Sequence, residues 1–98
     1  MGWTCEFDAT VWEWESSPES TAWFFLTVPE DESEDIRVHA GPPRGFGSVR
    51  VEATIGATTW RTSVFPGRSG YSLPLKKAVR RAESLDPGDS ARVTLELI

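Results

Sequence analysis

The 98-residue sequence predicts an all-β fold: a small closed or partly open barrel of six to seven mainly antiparallel strands with one or two short helices. Three observations predict it. Apolar and polar side chains alternate over most of the chain, the period of a half-buried strand. One stretch, Pro74 to Ala82, changes to a helical stripe. Glycine-bearing turn sequences at Gly56-Ala57, Pro66–Gly70 and Asp86–Asp89 punctuate the alternation. Closing the sheet on itself removes edges that strands this apolar would otherwise expose. A chain of this length forms one domain, residues 1–98, and buries enough surface for one core without disulfides or metal.

The first strand runs from Trp3 to Ala9, with Trp3, Cys5, Phe7 and Ala9 on one side and Thr4, Glu6 and Asp8 on the other. Val11 keeps that phase, but Trp12 and Trp14 take the opposite one, so a β-bulge near Thr10–Val11 is expected. Ala22 to Val28 is the second strand. Phe24, Leu26 and Val28 share one side, and Trp23 and Phe25 the other. Glu30 to Asp35 places five carboxylates in six residues behind Pro29. Early acids and a leading proline suit a helix start, so a short helix over 30–38 is expected, anchored only by Ile36 and Val38.

Val49, Val51, Ala53 and Ile55 alternate with polar residues up to Gly56-Ala57, a two-residue turn with glycine first. The return strand, Thr58 to Phe65, then sets Ile55 opposite Thr58, Ala53 opposite Trp60 and Val51 opposite Thr62. Glu52 falls opposite Arg61. Small beside large and acid opposite base are favourable cross-strand pairs, so register and chemistry agree. Tyr71 and Leu73 make a brief strand. Pro74 to Ala82 is the helix, with Leu75, Val79 and Ala82 facing inward. Arg92 to Ile98 closes the sheet. The expected core is Phe7, Phe24, Leu26, Val49, Val51, Trp60, Val64, Leu75, Val79, Val93 and Leu95.

The net charge of −5 works against binding to nucleic-acid backbones. The one cysteine, Cys5, excludes an intrachain disulfide and a thiolate zinc site. The first residues carry neither a basic region nor an apolar segment, and no apolar run approaches the ~20 residues that span a bilayer. A cytoplasmic protein with no membrane partner is expected.

No catalytic or metal signature stands out. His39 is the single histidine, so a His–His metal site is excluded. Cys5 alternates with Trp3 and Phe7 and reads as a buried thiol in place of a nucleophile. Ser48, Ser63 and Ser72 lack a nucleophile-elbow context. Gly41, Gly45 and Gly47 surround Arg44, an arrangement that can hold an anion, but no helix follows and a plain turn explains it. The acidic run lacks the ligand spacing of a calcium loop. No catalytic residue, metal ligand or cofactor is assigned.

Taken together, certain segments resemble the small bacterial family named domain of unknown function 1905. They are Phe7 with Ala9, Trp23-Phe24-Phe25 leading to Val28-Pro29, Phe46 to Val51, Trp60 to Pro66, Tyr71 to Lys76, Val79 to Ala82 and Gly88-Asp89. The resemblance spans nearly the whole chain. It implies a compact β-barrel with short helices and no known activity. Residues 73–97 also resemble, more weakly, the AbrB-type swapped-hairpin regulators. Those are half as long, with a basic DNA-facing arm, whereas the first third of this chain is acidic and free of Lys and Arg.

Function is therefore unknown from sequence, and a non-catalytic binding or interaction module is the favoured reading. Its surface or pocket would use Trp12, Trp14, Trp23 and Phe25, with Arg44, Arg61 and Tyr71 as further candidates. The partner would be a protein, a second copy, or a small organic ligand. Two alternatives stand beside it. One is a small-molecule enzyme with a pocket of Arg44, Arg61, Asp89 and Tyr71. The other is a regulator that meets nucleic acid weakly through a basic helix face of Lys76, Lys77, Arg80 and Arg81. Specific base readout is not expected, since nothing aims side chains at base edges. The exposure of the four aromatic rings separates an interaction surface from full burial across two layers.

Overall fold

The computed structural model describes residues 3–14, 23–40 and 47–98. The elements are β1 (Thr4–Trp14), β2 (Trp23–Thr27), α1 (Glu30–Ala40), β3 (Val49–Ile55), β4 (Thr58–Gly67), β5 (Gly70–Pro74), α2 (Lys77–Ala82) and β6 (Ser90–Leu97). The six strands close into a barrel in the order β1-β2-β5-β4-β3-β6, with every neighbouring pair antiparallel. The β3–β4 hairpin has the register expected from sequence: Ile55 pairs with Thr58, Ala53 with Trp60, and Glu52 with Arg61. Gly56 at φ +57 supplies the turn geometry.

β1 is the strand that closes the barrel. Its first seven residues, Thr4 to Thr10, pair with β6, and Val11 to Trp14 pair with β2. The expected bulge lies at this changeover but on the facing segment. Val11 N–H donates to Asp89 O (2.9 Å), and Gly88 N–H donates to Val11 O (2.8 Å), so two residues oppose one. Gly88 has φ +94, and Asp89 N–H donates back to Asp86 O at 2.9 Å. Asp86-Pro87-Gly88-Asp89 is thus a type II turn running into a glycine bulge. The alternation in β1 itself never slips: Phe7 and Val11 point inward, and Trp12 and Trp14 point outward.

The interior is filled by Phe7, Val11, Leu26, Val51, Val64, Leu73, Val93 and Leu95 from the strands. Leu26, Leu73, Val51, Val64, Val93 and Leu95 have no solvent exposure. Phe24 and Val49, expected in the core, are only partly buried and pack against its ends. Two helices close the two ends. At one end, α1 sends Ile36 into the core. Ser33 Oγ donates to Val28 O (3.0 Å) and accepts from Tyr71 N–H (2.9 Å), tying α1 to the end of β2 and the start of β5. At the other end, α2 sends Val79 inward. The helix begins at Lys77 and not at Pro74. Pro74 still belongs to β5, opposite Phe25, and Leu75 N–H donates to Phe24 O at 2.8 Å. The residue before a proline favours extended backbone, which keeps Leu73-Pro74 in the sheet.

Candidate functional site: an aromatic outer face

Side chains in a strand alternate between faces, so the residues between the buried positions of β1 and β2 must face outward. The cross-strand registers place Trp14 beside Trp23 and Trp12 beside Phe25. Phe25 pairs in turn with Pro74, and Thr27 with Ser72, which pairs with Phe65. The result is one continuous outer face across β1, β2, β5 and the end of β4. Trp23 is 57% exposed, Trp14 49% and Trp12 37%. Phe25 is partly buried beneath Trp12, with ring centroids 4.9 Å apart. Trp12 Nε1–H donates to Thr27 Oγ1 at 2.9 Å, which holds that indole in place. The acidic helix does not cover these rings. It lies at the end of the barrel, where Trp3 stacks on His39 with centroids 4.7 Å apart. No charged side chain occupies the outward positions of this face among the described residues.

The other sequence-derived candidates fall elsewhere. Arg61 is on the outside of β4, paired with Glu52 at 3.5 Å. Tyr71 is buried on the inner face of β5. Asp89 accepts from Asp86 N–H at 2.8 Å within the type II turn. Arg61, Tyr71 and Asp89 thus occupy an outer face, an inner face and a turn, and do not converge on one pocket. Arg44, with its glycine loop, lies outside the described residues. Cys5 has its thiol pushed up to about 11 by burial, then by the nearby Glu32 and Asp35 carboxylates. Such a thiol holds its proton at neutral pH and is a poor nucleophile. Among the described residues no group of three metal-ligating side chains gathers, and no helix is long and apolar enough to cross a membrane.

The basic face is gathered on α2. Lys76 precedes the helix, and Lys77, Arg80 and Arg81 lie on it. Neither Glu83 nor Asp86 forms an ion pair with them among the described residues. Glu83 instead accepts from Thr58 Oγ1 at 2.6 Å. The Arg80 guanidinium lies 3.4 Å over the Phe24 ring centroid, a cation–π contact. The sequence signalled the aromatic face through the phase of Trp12, Trp14, Trp23 and Phe25. It gave no sign that Phe65 and Pro74 extend that face, because both depend on which strands become neighbours.

No curated protein matches the chain. One family model matches residues 7–95, a span that takes in β2 to β5, both helices and most of β1 and β6. On that match, the chain belongs to the family described as Domain of unknown function (DUF1905).

Proposed function

We propose that this domain is a non-catalytic binding module that docks a protein surface through the aromatic outer face of β1, β2 and β5. The observation that carries this reading is the joint exposure of Trp12, Trp14 and Trp23 on one uncharged face. Exposed aromatic clusters of this kind supply much contact area with few torsions to freeze. Small ligands favour concave sites, whereas the outside of a small barrel is convex, and this favours a protein partner. A second copy of the chain is the partner that the charge distribution suits. Two molecules of net charge −5 repel overall, and a contact through an uncharged face at least sets no like charges against each other within the interface. Among the described residues barrel closure leaves no strand edge for pairing, so the contact would be made by side chains, ring against ring. A bacterial, cytoplasmic setting is part of the same proposal, supported by the lone cysteine and the family.

Sedimentation from micromolar to millimolar concentration tests the reading. The expected result is a reversible dimer, abolished in Trp14→Ser and Trp23→Ser while the fold is kept. A chain that stays monomeric throughout, or dimerises equally well with both tryptophans replaced, overturns it.

A further inference from the structure

We infer that the α2 end of the barrel carries a binding site for a small phosphate-bearing anion. The site is separate from the aromatic face. Its centre is an open depression of about 440 Å³ lined by Lys77, Arg80, Arg81, Ser84, Leu85 and Asp86. That volume is in the range of small-molecule sites.

Four observations converge there. The first is uncompensated charge. Arg37, Arg61 and Arg92 are each paired with a carboxylate. Among the described residues, Lys76, Lys77, Arg80 and Arg81 make no such pair, nor do Arg50 and Arg68, but the first four fall together on and just before α2. Lys77 and Arg81 stand four apart on a helix of six residues, a like-charge spacing that costs helix stability. The fold repays part of that cost through the cation–π contact of Arg80 and the negative end of the helix beside Arg80 and Arg81, and a bound anion would repay more.

The second observation is a preset arginine. Arg80 is held over Phe24, and its Nε is buried with no acceptor among the described residues. A guanidinium held against a ring is already positioned, and its planar fork is the shape that meets phosphate oxygens two at a time.

The third is the helix end. Leu85 N–H donates to Arg80 O (2.9 Å) and Ser84 N–H to Arg81 O (3.4 Å), the pair of bonds that closes a Schellman motif. Its left-handed position is Ser84, at φ 53. Glycine is the residue that this position favours, and a serine there is strained. The strain has a benefit if the hydroxyl is needed in the depression. The fourth is the disposition of the acids. Glu83 turns away to Thr58. Asp86 remains in the lining, and it limits the site to a compact ligand that reaches the three cations without crowding the carboxylate. A nucleic-acid backbone needs a longer cationic track.

Inorganic pyrophosphate is the probe, followed by backbone amide shifts at fixed ionic strength set with chloride. We expect saturable shifts confined to α2 and residues 83–86. Lys77→Gln and Arg81→Gln should each weaken binding about tenfold, the loss of one charge-assisted hydrogen bond. Ser84→Gly guards against a folding artefact, because it relieves strain and should still weaken binding several-fold. Arg92→Gln, whose charge is paired with Glu6 and Asp8 on the polar half, should bind like the parent, which separates this site from surface charge in general. Shifts that fail to saturate, or that survive the double replacement of Lys77 and Arg81, overturn the inference. A single-stranded oligonucleotide forms the second arm. Tighter binding of that strand than of pyrophosphate, with steep salt dependence, would assign the phosphates to nucleic acid and overturn the small-ligand site.

Discussion

The two halves of the barrel's outside are built on the same interior but surfaced in opposite ways. Around β6, β3, the start of β4 and the start of β1, every outward position is polar or charged. Arg92 bridges Glu6 and Asp8 at 3.1 Å each. Thr54 and Thr59 share a hydrogen bond of 2.9 Å, and Arg61 faces Glu52. Around β2, β5, the end of β1 and the end of β4, the outward positions are Trp, Phe, Pro, Thr and Ser. Inside, the halves are alike: Leu95 and Val93 on one side, Leu26 and Leu73 on the other, all without exposure. The interior alone decides the fold in both halves, so surface chemistry is free to differ. A half that needs only solvent uses cross-strand charge pairs. The half that exposes indoles forgoes those pairs, as the proposed docking contact would require.

Equivalent interiors should respond alike to truncation. Leu26→Ala and Leu95→Ala should each destabilise by about 2–5 kcal/mol, the usual range when a fully buried leucine leaves a cavity. Urea unfolding checks both, and a loss at Leu26 much below that at Leu95 would mean the aromatic half is a loose appendage.

The next effect is at the junction with α1. Ser33 is the one buried polar side chain among the described core residues. Replacing it by Ala strands Tyr71 N–H and removes a donor from Val28 O, at about 1–3 kcal/mol. Gly70, at φ +131, sits so close that a Cβ there would lie 2.6 Å from both Ser33 Oγ and Val28 O. If Ser33→Ala proves neutral in thermal unfolding, α1 is not what orders the start of β5, and the aromatic half has another brace.

Breaking the polar half's own pairs should matter less. Arg61→Ala removes the contact with Glu52, whose partners are both substantially exposed. Such pairs contribute under about 1 kcal/mol. Raising the salt concentration should remove most of that difference, and a salt-independent loss would show packing rather than charge at work.

Much of this architecture was legible in the residues. The β3–β4 hairpin is local. Its turn glycine, its small–large pairs and its Glu52–Arg61 pair all sit within one contiguous stretch, so a single register satisfies them. The bulge is harder to place, because the opposite phase of Trp12 and Trp14 suggests an extra residue in β1 near Thr10–Val11. They are outward residues in a strand that never changes phase. The extra residue belongs to Gly88-Asp89, which is distant in sequence. Pro74 misled for a similar reason. A proline before a helical stripe suits a first turn, but pairing with Phe25 holds it in β5. The aromatic face as a whole depended on strand order, which brings β5 beside β2 and β4 beside β5, and no local pattern encodes that neighbourhood.

The smallest expected effect on the monomer is also the most telling. Trp23 is a large apolar residue, and loss of a buried one would cost several kcal/mol. Here more than half of it faces solvent at 57% exposure. Its described cross-strand neighbour is Trp14, itself 49% exposed. Trp23→Thr keeps strand propensity and removes only this outward ring. Its effect on the unfolding of a dilute monomer should stay within about 0.5 kcal/mol, as for surface substitutions generally. Trp12→Thr should cost more, because Trp12 covers Phe25 and donates to Thr27. Urea midpoints measured at low protein concentration give both numbers. If Trp23→Thr destabilises the dilute monomer as much as Trp12→Thr, the indole is part of the fold's own packing. The aromatic half would then differ from the polar half in how it is held together, and would offer no docking surface. If the monomer is indifferent and only the concentrated protein responds, the ring serves the contact between molecules.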